Sequence, residues 1–242
     1  MTATRLLLVG GAGGIGASIA RRLAAGGATV AIADRDEPAG QTIAREIGGV
    51  FIRTDLADPP SAQHSLGAAI DALGGIDALV NSAGVFRHSP LLEIEPAEWD
   101  RVMAVNARGC LIAMQVAARA MIASGNGGRI VTIASMAAKH RGDLEAHYAA
   151  SKAAVLALTR AGALEWGVHG ITVNAVCPGF VLTEMGADSR TEADVAAWTA
   201  LSPLGRLGTP EDVAGMVDYL LGPDGGYCTG QAFNITGGMV MH

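Results

Sequence analysis

Tyr148 and Lys152 lie four positions apart in the segment YAASK, and Ser135 lies thirteen residues upstream, after an apolar run. Residues four apart share one helix face, so the ammonium of Lys152 is expected beside the phenol of Tyr148. At about 4 Å and an effective dielectric of about 20, the attraction is about 4 kcal/mol, or roughly three pKa units. The pattern predicts a tyrosine with its pKa lowered toward neutrality, suited to general acid–base work. An incidental helix pair is the alternative.

A glycine-rich turn lies near the start of the chain. Residues 10–16 read GGAGGIG and follow the apolar run Leu6–Val9. Such glycines permit a tight turn and close backbone contact with a pyrophosphate, and the N-terminus of the following helix adds N–H groups and a positive dipole. The turn therefore predicts a dinucleotide site, although many α/β proteins use a similar turn only to connect a strand to a helix.

Asp34 ends the next apolar run, eighteen residues beyond the last glycine of this turn. A carboxylate there accepts hydrogen bonds from ribose hydroxyls and repels a 2′-phosphate, which favours NAD over NADP. A solvated charge at a strand end is the alternative. The neighbouring Arg35 keeps NADP open, because a guanidinium can hold the extra phosphate.

Apolar and helical segments alternate along the chain. Runs typical of buried parallel strands occupy residues 6–9, 28–33, 50–52, 78–80, 129–134, 171–176 and 231–235. Helical patterns occupy residues 17–25, 41–47, 61–73, 95–124, 146–166 and 210–221. This alternation predicts an α/β fold, a single Rossmann-type doubly wound parallel sheet of about seven strands with helices on both faces. No linker or repeat interrupts it, so residues 1–242 are expected to form one domain.

Composition excludes several classes of protein. The chain has 242 residues, 50% of them apolar and 17% charged, which suits one compact domain with a large core. A formal net charge of −6 without a basic tract argues against binding to nucleic acid or an anionic membrane. The apolar stretches are too short for a membrane span. Because the first strand begins by Arg5, no room for a signal peptide is expected.

Three cysteines, Cys110, Cys177 and Cys228, show neither zinc-site nor Cys-x-x-Cys spacing. They are expected to be reduced fillers in a cytoplasmic protein, and no metal site is predicted.

Together these features resemble the short-chain dehydrogenase/reductase family over the whole stretch from Leu6 to Gly238. The glycine spacing Gly10-x3-Gly14-x-Gly16 differs from the common dinucleotide fingerprint. The other matching segments are NSAG at 81–84, VNARG at 105–109, NAVCPG at 174–179, PLGRLGTPED at 203–212, and TGQ to GG at 229–238.

The resemblance implies a catalytic set of Asn106, Ser135, Tyr148 and Lys152. Tyr148 would exchange a proton with the substrate oxygen, and Ser135 would hydrogen-bond that oxygen. Lys152 would depress the tyrosine pKa and bind the nicotinamide ribose, and Asn106 would position a water that relays the proton. A helix cap is the alternative for Ser135, and a local backbone hydrogen bond is the alternative for Asn106.

The resemblance also implies NAD as the cofactor and a set of residues that hold it. Those residues are Gly10, Gly13, Gly14, Ile15, Gly16, Asp34, Arg35, Asp55, Leu56, Asn81, Ala83, Gly84, Tyr148, Lys152, Pro178, Gly179, Val181 and Thr183. The chain departs from the family pattern at Val9, Gly13 and Ser82. The absence of a basic residue at Gly13 adds mild support for NAD.

A substrate cleft is expected above the strand ends, lined by Val85, Phe86, Phe180 and residues 136–147. Residues 183–202 form a polar segment long enough to be a lid. Trp198 in this segment would either close over an apolar substrate or anchor the lid on the core, and Met185 could also close it. Lys139, His140 and Arg141 are either a positive patch for an anionic substrate or a solvated loop. His147 is assigned no catalytic role, because neighbouring helix residues face different directions.

The helices within 95–121 and after Ala146 are apolar on several sides, and the resemblance implies pairing as a homodimer or homotetramer. The expected function is NAD(H)-dependent interconversion of a small-molecule secondary alcohol and a ketone. An NADPH-dependent 3-oxoacyl thioester reductase is the alternative enzyme. A non-catalytic dinucleotide sensor is the alternative from another class.

Overall fold

A computed structural model describes residues 4–140, 143–183 and 191–241. Its strands form a single parallel sheet with the order β3-β2-β1-β4-β5-β6-β7. The strands are β1 (Arg5–Val9), β2 (Thr29–Asp34), β3 (Val50–Arg53), β4 (Ala78–Asn81), β5 (Gly128–Ile133), β6 (Ile171–Pro178) and β7 (Ala232–Ile235). The predicted doubly wound parallel sheet is confirmed, with each predicted strand present within a few residues of its expected bounds.

Helices cover both faces of the sheet. They are α1 (Gly14–Ala25), α2 (Glu37–Glu46), α3 (Pro59–Ala72), α4 (Pro96–Met103), α5 (Gly109–Ser124), α6 (Ala146–Trp166), α7 (Glu192–Ala200) and α8 (Pro210–Leu221). A π-helical turn at Ala104–Arg108 joins α4 to α5. Helix α6 has the predicted bounds. Helices α2 and α3 begin earlier than predicted, because the side chains of Asp36 and Asp58 cap them and a proline occupies the first turn of each.

The strands are buried on both faces, which explains why they read as continuous apolar runs. In β1, Leu7 and Val9 belong to the core beneath α3, α5 and α6, whereas Leu6 and Leu8 belong to the core beneath α1 and α8. Burying one such side chain stabilises the fold by about 1.5–3 kcal/mol. The two cores hold the sheet rigid and fix where its strands end.

The sheet order reverses between β1 and β4, which is where a crevice opens in folds of this type. The segments that follow β1, β4, β5 and β6 therefore meet at one edge of the sheet. Gly10, Ser135 and Gly179 lie in these segments and Asn81 is the last residue of β4, and all four are predicted site residues. No helix in the described part of the chain is long and apolar enough to cross a membrane.

Candidate active site

Three positions of the glycine-rich turn require glycine for steric reasons. Gly10 and Gly14 have φ of +79° and +51°, a region that favours glycine. A Cβ atom at Gly10 would collide with the backbone of Ala83, and one at Gly16 would overlap the carbonyl oxygen of Gly10. The backbone of the turn is therefore packed directly against the end of β4.

Gly13 differs from these glycines. Its backbone is extended, and a Cβ atom added there would meet nothing within 4 Å. Gly13 is exposed at the N-terminus of α1, with the half-buried Ile15 just beyond it. A side chain at this position would reach open space, so the glycine is not needed for the fold of the turn.

Asp34 braces the turn from the end of β2. One carboxylate oxygen accepts a hydrogen bond from the N–H of Ala12 at 3.0 Å, and the other accepts one from the N–H of Asp36 at 3.0 Å. Each carboxylate oxygen has further lone pairs, so hydroxyl donors can still be accepted. Arg35 is exposed beside it. This carboxylate is an acceptor that fits the hydroxyls of a dinucleotide ribose.

A cavity of about 250 Å³ lies against the turn. Its lining includes Ala12, Gly13 and Gly14 from the turn, together with Thr183 and Glu211 from the later part of the chain. Backbone close enough for phosphate contact, a helix N-terminus and this cavity fit the pyrophosphate of a dinucleotide. The structure thus brings Thr183, one of the cofactor residues that the resemblance implies, to the cavity beside the glycines, and its contact with a cofactor stays a prediction.

The remaining predicted cofactor residues line the same edge of the sheet. Asp55 is exposed and accepts a hydrogen bond from the N–H of Ala57 at 2.9 Å, while Leu56 is buried. Asn81 is buried, and its side-chain oxygen has no hydrogen-bond partner among the described residues. A Cβ atom at Gly84 would lie 3.3 Å from Nζ of Lys152. The turn after β4, with Ala83 half-buried in it, therefore connects the cofactor side to the catalytic side.

The segment after β6 is held in place at the same edge of the sheet. Pro178 ends β6 and is buried, and the N–H of Gly179 donates to the carbonyl of Ile235 at 3.0 Å. Val181 forms a parallel bridge with Gly208. These contacts fix the backbone of a segment in which the resemblance implies cofactor-binding residues.

Tyr148 and Ser135 contact each other through their side chains. Tyr148 is the third residue of α6, and Ser135 follows β5 after one residue. Burial raises the pKa of Tyr148 to about 12, although the hydrogen bond from Ser135 acts in the opposite direction. The two hydroxyls form a pair that can contact one substrate oxygen.

The prediction that Lys152 lowers the pKa of Tyr148 is wrong for this structure. Nζ of Lys152 lies 5.7 Å from the centroid of the Tyr148 ring and donates to the carbonyl of Ile133 at 2.8 Å. Burial lowers the pKa of Lys152 to about 8. Desolvation disfavours the charged forms of both groups, and here it outweighs the attraction that the helix spacing predicts.

Ser135 caps a helix and Asn106 hydrogen-bonds to the backbone, which are the alternatives to catalytic roles for these two residues. Oγ of Ser135 accepts from the N–H of Ala137 at 3.1 Å, which caps a short 3₁₀ helix. Oδ1 of Asn106 accepts from the N–H of Val85 at 2.8 Å, and Nδ2 donates to Val85 at 2.9 Å and to Ser151 at 3.0 Å. Both donors of the Asn106 amide are thus occupied, and its role in holding a water stays a prediction.

Ser151 and Val85 hold the side chain of Asn106 by hydrogen bonds, and the sequence alone did not predict this role for them. Oγ of Ser151 donates to the carbonyl of Tyr148 at 2.7 Å and is fully buried. A serine on the buried face of a helix needs a hydrogen-bond partner, and this was a signal available in the sequence. Together with Asn106 they join β4, the π-helical turn and α6.

Aromatic side chains that the sequence predicts around the substrate cleft contact one another in two pairs. The rings of Phe86 and Tyr148 meet edge to face with centroids 5.0 Å apart. Trp198 of α7 stacks on Phe180 with centroids 4.4 Å apart and an interplanar angle of 7°. Trp198 therefore anchors α7. Met185 lies outside the described residues.

Lys139 does not form a free positive patch. Its Nζ donates to the carbonyl of Ala232 at 2.6 Å and to Oδ1 of Asn234 at 2.7 Å, which ties the segment after Ser135 to β7. His140 is exposed, and Arg141 lies outside the described residues.

Glu145, which precedes α6, is the acidic group that acts on Tyr148. Burial and the charge of Asp143 raise the pKa of Glu145 to about 6, and the charge of Glu145 contributes to the high pKa of Tyr148. At neutral pH the carboxylate therefore opposes formation of the phenolate.

Comparison with known proteins agrees with this geometry. The family model described as Enoyl-(Acyl carrier protein) reductase matches residues 10–240. Sorbitol dehydrogenase from Cereibacter sphaeroides is 39% identical over 96% of this chain and 95% of its own length. (3R)-3-hydroxyacyl-CoA dehydrogenase from Rattus norvegicus is 39% identical over 98% of this chain and 96% of its own.

The solved structure of a short-chain type dehydrogenase/reductase from Mycobacterium marinum superposes with a TM-score of 0.93 at 37% identity, covering 99% of this chain and 96% of that one. This chain belongs to the short-chain dehydrogenase/reductase family of oxidoreductases, whose members bind a nicotinamide dinucleotide.

Proposed function

We propose that this protein is an NAD(H)-dependent oxidoreductase that interconverts a secondary alcohol and a ketone. The observation that carries the proposal is the hydroxyl pair of Ser135 and Tyr148 at the end of β5, with the ammonium of Lys152 buried beside it. A nicotinamide supplies or accepts the hydride in such reactions. Ser135 orients the substrate oxygen and donates to it, while Tyr148 exchanges the proton with it.

Burial favours the neutral phenol of Tyr148, which supports a role as proton donor in the direction of ketone reduction. A neutral phenol is a hydrogen-bond donor to a carbonyl oxygen and releases its proton as the alkoxide develops. In the direction of alcohol oxidation the phenolate is needed, and burial together with Glu145 disfavours it. Oxidation is therefore expected to accelerate as the pH rises.

The choice of NAD over NADP rests on Asp34. Its carboxylate is held by the N–H groups of Ala12 and Asp36. It can accept hydrogen bonds from ribose hydroxyls, and its negative charge repels a 2′-phosphate. Measuring kcat/KM with NADH and with NADPH tests this choice directly. A clear preference for NADPH would contradict it.

A polyol and a 3-hydroxyacyl thioester are named for two of the similar proteins, and each contains a secondary alcohol. Sorbitol, galactitol and 3-hydroxybutyryl-CoA, each with NAD and NADH absorbance as the readout, form the panel that separates them. Turnover of the thioester alone would favour the acyl thioester reductase that the sequence also allows. An enzyme that binds NAD tightly but oxidises no alcohol in a broad panel would be the non-catalytic sensor.

We further propose one domain over residues 1–242, with residues 183–202 as a candidate substrate lid, of which residues 184–190 lie outside the described part of the chain. Helix α6 exposes Leu164, and the turn after it exposes Val168, at 82% and 85% of their surfaces, which supports a homotetramer or homodimer. Light scattering of the purified protein measures the oligomeric state directly.

The unpaired cysteines support a cytoplasmic location, which imaging of a tagged chain tests.

A further inference from the structure

The first turn of α6 has no side-chain cap. Glu145 occupies the N-cap position, and its side chain accepts no hydrogen bond from the helix. Helices α7 and α8, by contrast, begin with complete capping boxes at Thr191 and Thr209. Uncapped first turns leave backbone N–H groups unsatisfied and tend to fray. Tyr148 lies in this turn, so another contact has to hold its hydroxyl at Ser135.

His147 supplies a contact at this point. It is fully buried, and its Nε2 lies 2.9 Å from Oε1 of Glu98 on α4. The two groups are in close polar contact, although the geometry does not make a well-formed hydrogen bond. The contact fixes the second residue of α6 to a neighbouring helix.

Glu98 is itself held in place and charged. Its Oε1 accepts a hydrogen bond from Oγ of Ser89 at 2.5 Å, and Nε of Arg87 lies 3.5 Å from its Oε2. The Ser89 hydrogen bond, together with Arg87 and His147, holds the pKa of Glu98 below its usual value. Glu98 is therefore a carboxylate at neutral pH and faces His147 as an anion.

The segment after β4 closes the arrangement around Tyr148. The N–H of Ser89 donates to the carbonyl of Leu144 at 2.7 Å, just before α6 begins. Leu144 has φ of +62°, the one positive value among the described residues other than glycine. Phe86 of the same segment meets the ring of Tyr148 edge to face. The start of α6 is thus held from α4 and from the segment after β4.

We propose that His147 and Glu98 are positioning residues for Tyr148. Their contact replaces the missing helix cap and keeps the Tyr148 hydroxyl in reach of Ser135. Neither residue touches the reacting atoms. The inference rests on the proposed function for its kinetic consequence, whereas its structural consequence can be measured without turnover.

The test compares Glu98→Ala with Asp100→Ala in the full-length protein. Asp100 is exposed on the same helix, so the control loses the same charge without losing the contact. We expect Glu98→Ala to lower kcat by about tenfold or more, because misplacing a reacting group by about 1 Å costs up to about a hundredfold. The Kd for NADH should stay within about twofold, and amide exchange over residues 143–150 should become about tenfold faster. Asp100→Ala should change none of these.

A rescue variant separates positioning from general stability. Adding Glu145→Asp to Glu98→Ala supplies one of the best N-cap residues and keeps the negative charge near Tyr148. We expect the double variant to regain part of the lost kcat and of the exchange protection.

Two results would overturn the proposal. The first is a kcat for Glu98→Ala within about twofold of the wild type with unchanged exchange. The second is a joint loss of kcat, NADH binding and thermal stability, which would make the contact merely structural. If the wild-type protein oxidises no alcohol, the proposed function fails, and the exchange measurement still decides whether Glu98 holds the first turn of α6.

Discussion

The ammonium of Lys152 is fixed by the carbonyl of Ile133, 2.8 Å away, and not by the phenol of Tyr148. The end of β5 therefore holds Lys152 on one side of Tyr148, while Ser135, just after the same strand, contacts the phenol. Since one strand places both partners, the geometry around Tyr148 depends on the sheet more than on the spacing within α6.

Tyr148→Phe removes the proton donor and leaves the ring in place. We expect turnover to fall by about 10²–10⁴-fold, the usual contribution of a positioned acid or base, while the Kd for NADH stays within about threefold. Steady-state kinetics and fluorescence titration measure the two effects. Tyr219→Phe on the exposed face of α8 is the control. Near-normal turnover of Tyr148→Phe would exclude the proposed mechanism.

Asp34→Ser should change the cofactor preference. A hydrogen bond to a charged group contributes about 1.5–3 kcal/mol, so the ratio of kcat/KM for NADPH over NADH should rise by roughly 10–100-fold. Arg35 is then free to pair with the 2′-phosphate. Asp71→Ser, exposed on α3, serves as the control and should leave the ratio unchanged. An unchanged ratio in Asp34→Ser would show that other residues choose the cofactor.

Gly16→Ala and Gly13→Ala form a matched pair in the glycine-rich turn. The added methyl at residue 16 overlaps the carbonyl of Gly10, whereas the one at residue 13 meets nothing within 4 Å. We expect Gly16→Ala to lose about tenfold or more in NADH affinity and to be less stable, because the turn must shift. Gly13→Ala should keep the wild-type stability and lose less NADH affinity than Gly16→Ala. Calorimetric titration of both variants checks this, and equal affinities would contradict the close packing of the turn.

Glu145→Gln should stabilise the protein at neutral pH. The pKa of Glu145 is raised from 4.5 to about 6 by burial and Asp143, so the folded state favours the neutral carboxyl. Stability is therefore higher below the unfolded pKa and falls as the pH rises from about 4.5 to about 6. Glutamine avoids this loss, which we put at about 1 kcal/mol after allowing for solvent screening.

Thermal or urea unfolding at neutral pH and at about pH 4 measures the effect of Glu145→Gln. The gain should be present at neutral pH and absent at the lower pH. Glu165→Gln, exposed on α6, should show no comparable difference. An equal change at both values would mean that the charge of Glu145 is not the cause.

The sequence by itself determined the layers of the fold, and it predicted which residues form the site. Runs such as Leu6–Val9 are apolar at every position, as expected for a strand that is buried on both faces. The glycines at 10, 14 and 16 and the order of the motifs then predicted which strand ends carry the site. These signals are local, because they depend on residues a few positions apart.

Only the tertiary structure decided the direction of the pKa shifts and the partners of the buried polar groups. The spacing of Tyr148 and Lys152 predicts an attraction, but burial of each group decides the outcome, and burial depends on every element packed around α6. Asn106 with Ser151 and His147 with Glu98 are contacts between distant segments. No local pattern encodes them, because the energy of a buried charge or amide is set by which groups the fold brings beside it.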